Sequence, residues 1–563
     1  MRRPREELRR ALEARIDELG YAEPGPAKLE IRGHAPTVLV ERPKEAAHGD
    51  WASPVALALA RPLQRSPRAV AEELVAGLGL DDGVFDRVEI AGPGFLNARL
   101  APAYLQGVVR RVLEAPARYA TSGRLAGKPI NVEFVSSNPT GPLHVGHARN
   151  AVLGDAIASL FESQGAAVTR EYYFNDAGRQ MDVLGASVYA RYRQRWEPGF
   201  PFPEEGYQGE YIAELAEEIH VRDGDAWRDA PEEAWLEVFR SYAGGRISEG
   251  IREDLARLGV RFEVWFNEST LYKDGRLEAT VEALRERGAV YEEGGAVWFR
   301  ASDYGDEKDR VLVKSGGQPT YLLPDIAYHR DKHERGFEIA VDVWGADHHG
   351  YQARMQAALT ALGIPEGWLR TVIYQQVALI EDGQSVRLST RKNRMVTLRE
   401  LLDDIGVDVT RYFLLMRRGD AHMVFDLDLA RRQSDENPVY YVQYAHARIA
   451  GVFAKLEQRE WDPLIGGIPE SLDRLVEPEE IEVLRALEDL PDTVADAADA
   501  LEPHRVTDYL EGLARRFHLW YHAHRFLVED PELARARLAL ARATQRALGS
   551  GLELLGVSTP DSM

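Results

Sequence analysis

His144 and His147 bracket Val145 and Gly146 where a polar loop gives way to an apolar, periodic run. Two imidazoles three residues apart at a helix start can aim two donors at one ligand. The helix start adds unpaired N–H groups and a partial positive charge, so it suits an anion. Gly146 has no Cβ and lets a ligand approach the backbone. The chemistry that fits is stabilisation of polyphosphate charge during attack on an α-phosphate. The bland alternative is a pair of surface histidines. A chain of this composition produces His-x-Gly-His by chance only about 0.03 times.

These residues need a strand, a loop and a helix to place them. Ile130 to Val135 is β-branched and aromatic and reads as a buried strand, followed by the polar loop Ser136 to Gly141. Ala148, Val152, Ala156 and Leu160, with Leu153, Ile157 and Phe161 in a second row, predict a helix with a broad apolar face, closed at Gly165. Residues 166–174 return as a strand, which completes a right-handed βαβ unit. Ile339 to Trp344 is a further buried strand. Gly345 and Asp347 at its carboxyl end are placed for a ribose. His348 and His349 follow, without the third ligand that zinc requires. After the strand Val377 to Glu381 comes a basic loop in which Arg387, Arg391, Lys392 and Arg394 put four positive charges within eight residues.

The 563 residues allow several domains. The pattern predicts an α+β module over 1–115 and a Rossmann-like α/β zone with a parallel sheet over 116–426, with insertions near 190–310. An all-helical segment covers 427–563. In the first module the spacing predicts a helix carrying Leu8, Leu12, Ile16 and Leu19 and ending at Gly20. It also predicts a strand over Thr37–Glu41, a helix around Ala52–Ala60 and a strand over Gly94–Leu100. Zero cysteines exclude disulfides, thiol nucleophiles and Cys-ligated metal. A net charge of −22 speaks against a generic nucleic-acid binder. Arg2, Arg3 and Arg5 are mixed with Glu6, Glu7 and Glu13 and precede no apolar core, so they do not form a targeting signal. No run approaches the roughly 18 apolar residues of a membrane span. A cytoplasmic protein is expected.

The signature resembles that of the class I aminoacyl-tRNA synthetases, and its long form, Glu133 through His147 (EFVSSNPTGPLHVGH), resembles the arginyl-tRNA synthetase family in particular. So do Phe174–Gln180 (FNDAGRQ), Asp325–His329 (DIAYH), Asn437–Arg448 (NPVYYVQYAHAR) and the closing Leu554–Val557. The resemblance implies an arginine–tRNA ligase that uses ATP with Mg²⁺, needs bound tRNA before it activates arginine, and works as a monomer. No metal is expected as a resident of the site.

By this resemblance ATP lies on Ser137, Asn138, Pro139, Thr140, Gly141, Pro142, Leu143, His144, Val145, Gly146 and His147, with Gly345, Asp347 and His348 on adenosine. Glu133 and Asn138 contact the amino acid's backbone groups. Tyr321 and Asp325, four apart in one helical turn, clasp the guanidinium, which a carboxylate and a phenol suit. Pro324 departs from the residue usual before that Asp. The family's mobile Lys-Met-Ser-Lys-Ser loop corresponds to 387–394. Here Arg387 replaces the first Lys, Ser389 is kept and Thr390 replaces the second Lys. The substitute lysine that some relatives carry before the signature is Gly141 here. Lys392 or Arg391 is therefore expected to supply the clamp. Phe95 and Asn97 are the expected contacts to the tRNA elbow, and Tyr440, Tyr444, Arg448 and Trp520 those to the anticodon, where aromatics and arginines suit stacking on splayed bases. Two other readings remain. A small nucleotidyltransferase needs only about 150–200 residues. A catalytically silent tRNA-binding relative finds support only in the altered loop.

Overall fold

The computed structural model describes residues 3–21, 38–43, 45–176, 178–348, 350–386, 396–458, 463–464 and 467–563. By packing, the chain divides into two compact units. The first comprises Met1–Tyr119, Ile449–Leu490 and Gly512–Ala547, and the second Ala120–Arg448, Pro491–Glu511 and Leu548–Met563. Among the described residues no helix is long and apolar enough to cross a membrane.

In the first unit, antiparallel strands β1 (Trp51–Ser53), β2 (Phe85–Ala91) and β3 (Phe95–Leu100) lie in the order β1-β3-β2. The opening helix Pro4–Glu18 buries Leu8, Leu12 and Ile16, the stripe that the spacing predicts. Two expectations fail here. Only Val55–Ala60 is helical in the stretch expected from Ala52, because Trp51–Ser53 pair with β3. Of the strand expected over Thr37–Glu41, the described residues make one bridge, Glu41 to Ala52. The late helices of this unit bury Leu484, Leu487, Phe517, Trp520, Leu538 and Leu540 completely.

In the second unit, β4 (Pro129–Glu133), β5 (Ala167–Phe174) and β6 (Val264–Asn267) precede an antiparallel trio, β7 (Val290–Glu293), β8 (Ala296–Phe299) and β9 (Arg310–Val313). Then follow β10 (Ile339–Gly345) and β11 (Leu369–Tyr374). The main sheet is parallel throughout, in the order β11-β10-β4-β5-β6. Strand order reverses between β4 and β10, and such a switch point opens a crevice at the carboxyl ends of its strands. Glu133 ends β4 opposite Asp342 of β10. Beyond the sheet, β12 (Val377–Glu381) pairs antiparallel with β13 (Gln384–Val386) and parallel with β14 (Met423–Asp426).

The helix Leu322–Glu334 is fixed by a core in which Leu323, Ile326 and Tyr328 meet Leu284, Phe299, Leu312, Met355 and Leu359. Each large apolar side chain buried there contributes about 1.5–3 kcal/mol. Pro324 lies in the first turn of this helix, where a missing N–H costs no helical hydrogen bond.

Candidate active site

The turn after β4 is strained. Val135 has φ +65° and Ser136 φ +40°. A β-branched residue in the left-handed region costs on the order of 1–3 kcal/mol. Hydrogen bonds hold it there. The Val135 N–H donates to Asn150 Oδ1 at 2.7 Å, and Asn150 Nδ2 donates to the Val343 carbonyl at 3.1 Å. Ser136 Oγ donates to Glu133 Oε1 at 2.9 Å and accepts the Tyr173 N–H at 3.1 Å. Ser137 Oγ lies 2.8 Å from the Tyr172 hydroxyl. Asn138 is exposed and donates to Gln180 Oε1 at 2.6 Å. Pro139 is buried, Gly141 and Pro142 are half-buried, and the Thr140 carbonyl accepts the Tyr211 hydroxyl at 2.6 Å. Leu143 and Val145 are fully buried.

The helix Val145–Ser163 starts with His144 as N-cap. His144 Nδ1 accepts the Gly146 N–H at 3.0 Å, and His147 Nδ1 accepts the His144 N–H at 3.3 Å. The rings stack with centroids 3.8 Å apart. Because each Nδ1 is an acceptor, each ring carries its hydrogen on Nε2. Burial pushes both imidazoles below their ordinary pKa, and the neighbouring His144 ring helps to bring His147 down to about 3. The pair therefore offers two neutral N–H donors. A Cβ on Gly146 would lie 2.9 Å from His144 Cε1, so the bare glycine makes room for the His144 ring itself. Further along, a Cβ on Gly154 would lie 2.2 Å from Phe134 Cγ, and Phe134 is the residue that follows β4.

Carboxylates gather beside the strand ends. Asp325, in the first turn of the helix Leu322–Glu334, accepts a hydrogen bond from the Tyr351 hydroxyl. Burial pushes its carboxyl up to about 6 against that hydrogen bond, and the charges of Glu268 and Glu133 add to the rise. Glu268, just past β6, accepts Tyr173 OH at 2.8 Å and Tyr272 OH at 3.4 Å. Burial raises its pKa as well. Tyr272, pushed up to about 12 chiefly by burial, lies within electrostatic reach of both Asp325 and Tyr321. Tyr321 is the N-cap of its helix and is 85% exposed, so Tyr351, not Tyr321, holds the Asp325 carboxylate. An acidic recess lined by phenols suits a compact organic cation that can donate several hydrogen bonds. Glu268, Tyr272 and Tyr351 do not emerge from the sequence reading. Their placement after β6 and β10, at the carboxyl ends of parallel strands, is the signal that points to them.

Beneath this recess lies a closed ionic network. Lys332 Nζ donates to Glu133 Oε2 at 2.5 Å and to Asp342 Oδ1 at 2.8 Å. His329 Nε2 meets Asp342 Oδ2 at 2.7 Å, and its Nδ1 meets the Asp325 main-chain carbonyl at 2.7 Å.

Gly345 ends β10, and Asp347 and His348 stand exposed just beyond it. The His348 ring centroid is 6.1 Å from that of Trp344. Arg387, Ser389, Arg391, Lys392 and the rest of the basic loop lie outside the described residues, as does His349. In the second unit Tyr444 is exposed, Tyr440 is half-buried, and Arg448 donates to Tyr444 OH at 2.9 Å while lying 4.5 Å from the ring centroid. In the first unit Phe95 is 40% exposed whereas Asn97 is buried within β3. Trp520 corrects the sequence reading: it is 0% exposed and packs 4.3 Å from Phe526, so no face is left for a base.

A parallel sheet with a paired-histidine helix start at its switch point defines a class I tRNA synthetase core. The family model for the catalytic domain of class I (R) tRNA synthetases matches residues 109–414. Models for the arginyl tRNA synthetase N terminal domain and the DALR anticodon binding domain match 6–100 and 442–563. The arginine–tRNA ligase of Syntrophotalea carbinolica is 47% identical over 94% of this chain and 96% of its own. That of Geobacillus kaustophilus is 47% identical over 95% and 96%. The solved structure of Thermus thermophilus arginyl-tRNA synthetase shares the fold with a TM-score of 0.77 over 100% of both chains, at 24% identity. The chain belongs to the arginine–tRNA ligase family.

Proposed function

We propose that this enzyme activates L-arginine with ATP and transfers the arginyl group to the 3′-terminal ribose of tRNA(Arg). The observation that carries the choice of amino acid is the recess in which burial, with the charges of Glu268 and Glu133, raises the Asp325 pKa. Like charges held together in a buried space need a cation, and a guanidinium with an α-ammonium supplies two.

In the first step a carboxylate oxygen of arginine attacks the α-phosphorus of ATP in line. The bond to the bridging oxygen breaks, pyrophosphate leaves and arginyl-adenylate forms. Phosphoryl and nucleotidyl transfers of this kind depend on positioning and charge stabilisation. The Nε2–H donors of His144 and His147 and the helix N-terminus stabilise the phosphate charge. Residues Ser137 to Leu143 line its approach, and Gly345, Asp347 and His348 hold the adenosine. Asp325 and Glu268 take the guanidinium, Tyr321 covers it from the rim, and Glu133 with Asn138 orients the α-amino end. Arg391 or Lys392, with Arg387 and Ser389, clamps the pyrophosphate. Mg²⁺ would accompany the ATP phosphates, as part of that substrate, and offset their charge. In the second step a ribose hydroxyl attacks the activated carbonyl and AMP leaves.

Phe95 marks the surface of the N-terminal module, 1–115, that meets the tRNA elbow, while Asn97 is buried in the same strand. Tyr440, Tyr444 and Arg448 mark the anticodon side of the helical segment 427–563. The enzyme acts as a cytoplasmic monomer. ATP–pyrophosphate exchange with arginine, with and without tRNA(Arg), tests the reading. Exchange that requires arginine and tRNA supports it, whereas exchange with another amino acid, or none, refutes it.

A further inference from the structure

The ionic network beneath the recess contains none of the residues assigned to ATP, yet it joins two residues assigned to arginine. Lys332 and Asp342 are 0% exposed, and Glu133 is the member that reaches the recess. Both ring nitrogens of His329 face acceptors, the Asp325 carbonyl and Asp342 Oδ2. A neutral imidazole has one N–H, so only the imidazolium satisfies both. Lys332 Nζ is committed to Glu133, to Asp342 and to the face of Tyr328, 4.5 Å from its centroid. The two cations and the two carboxylates balance.

We propose that Lys332 and His329, tied together by Asp342, are positioning residues for arginine: they hold Glu133 and the helical turn bearing Asp325 at the spacing of the amino acid's two cationic ends. This rests on the assignment of Glu133 and Asp325 to arginine. Glu133 of β4 is met by Lys332, His329, Tyr328 and Asp325 from the helix Leu322–Glu334, by Asp342 from β10, by Tyr173 from β5 and by Ser136. Burial pushes the Glu133 carboxyl up, and Lys332 is the largest influence that opposes it. Burial also acts against Asp342, yet Lys332 and His329 hold it down to about 2. Without Lys332, Glu133 faces Asp342 and Asp325 with a weaker counter-charge and takes up a proton at higher pH. It then no longer offers a negative charge to an ammonium.

The test is aminoacylation by the full-length enzyme with tRNA(Arg), as a function of pH, for Lys332→Met, Lys332→Arg and His329→Gln, with thermal unfolding of each. Lys332→Met is expected to raise KM for arginine about tenfold or more, with KM for ATP nearly unchanged. It should also move the acid limb of kcat/KM for arginine to higher pH. Lys332→Arg should recover a large part of both effects. His329→Gln, which leaves the Lys332–Glu133 contact in place, should raise KM for arginine with a smaller shift of the limb. An unchanged KM for arginine in folded Lys332→Met or His329→Gln overturns the proposal. So does a loss of kcat that tracks lost stability with no rescue by Lys332→Arg, or failure of both neutral variants to fold, since each assigns the network to the fold alone. If the unmodified enzyme charges no arginine, it is the underlying assignment that has failed.

Discussion

Thr397 forms an antiparallel bridge with His144, and the Leu398 N–H donates to the Leu143 carbonyl at 2.8 Å. The chain emerging from the basic loop is thus stitched to the residue that opens the signature helix. The other end of the loop leaves β13, whose partner β12 begins two residues after Gln375. The Gln375 carbonyl accepts from Arg149 of that same helix at 2.7 Å. Both ends of the loop are referred to one helix.

Thr397 is also a cap. Its hydroxyl accepts the Glu400 N–H at 3.2 Å, while Glu400 Oε2 accepts the Thr397 N–H at 2.7 Å. Thr397→Ala should cost about 0.5–2 kcal/mol in denaturant unfolding. Adenylate formation should slow, with KM for arginine almost unaltered, as read by pre-steady-state quench.

In the proposed role, Asp325 holds a guanidinium only when ionised. Its folded pKa, about 6, lies above the ordinary carboxylate value, so arginine affinity in the free enzyme falls as pH drops through that region. The sign for stability is the reverse: the ionised buried carboxylate costs stability as pH rises from the unfolded value toward 6. Tyr351→Phe removes the hydrogen bond that lowers this pKa, so the acid limb of kcat/KM for arginine should move upward. His147, down at about 3, does not contribute to that limb.

Glu268→Gln keeps a hydrogen-bonding side chain for Tyr173 and Tyr272 but removes a charge from the recess. Losing a charge-assisted contact of about 1.5–3 kcal/mol should raise KM for arginine roughly 10- to 100-fold, with KM for ATP unchanged. Steady-state charging at varied arginine reads it directly.

Gly154→Ala drives a methyl into the Phe134 ring, inside a core with no slack. The overpacking should cost about 1–3 kcal/mol and show first as lowered thermal stability, because Phe134 supports the turn that carries Val135 and Ser136.

Lys392→Ala and Arg391→Ala, made separately, should differ: the variant that removes the clamp should slow adenylate formation about 100-fold, the other only a few-fold. Wild-type rates in both would refute the assignment of the pyrophosphate to this loop.

Much of this site follows from local chemistry in the chain. The βαβ unit from Ile130 to Phe174 is legible because its apolar periods of two and 3.6 agree with its turn residues, and the same loop ends in His144. The left-handed Val135 has no local signature, since the side chain that holds its N–H is Asn150, fifteen residues on in the helix Val145–Ser163. The spacing of Tyr321 and Asp325 predicts that both face one way in a helical turn, but the helix begins after Tyr321, which stands exposed. The hydroxyl that Asp325 does accept comes from Tyr351, beyond β10, which local spacing does not reveal. Trp520 illustrates the limit for aromatics: helical spacing marks a face, and packing decides whether that face meets solvent or a core. The short strand Trp51–Ser53 exists only because β3 reaches it from more than forty residues away.

Gly141, the position where some relatives carry the substitute lysine, is crowded by Tyr211. A Cβ there would stand 3.1 Å from the phenolic oxygen, and that hydroxyl is already committed to the Thr140 carbonyl. A side chain at position 141 therefore requires the Tyr211 phenol to give by a few tenths of an ångström, and that phenol is what ties the signature loop at Thr140. The space at position 141 is thus set by the residue at 211, seventy positions along the chain.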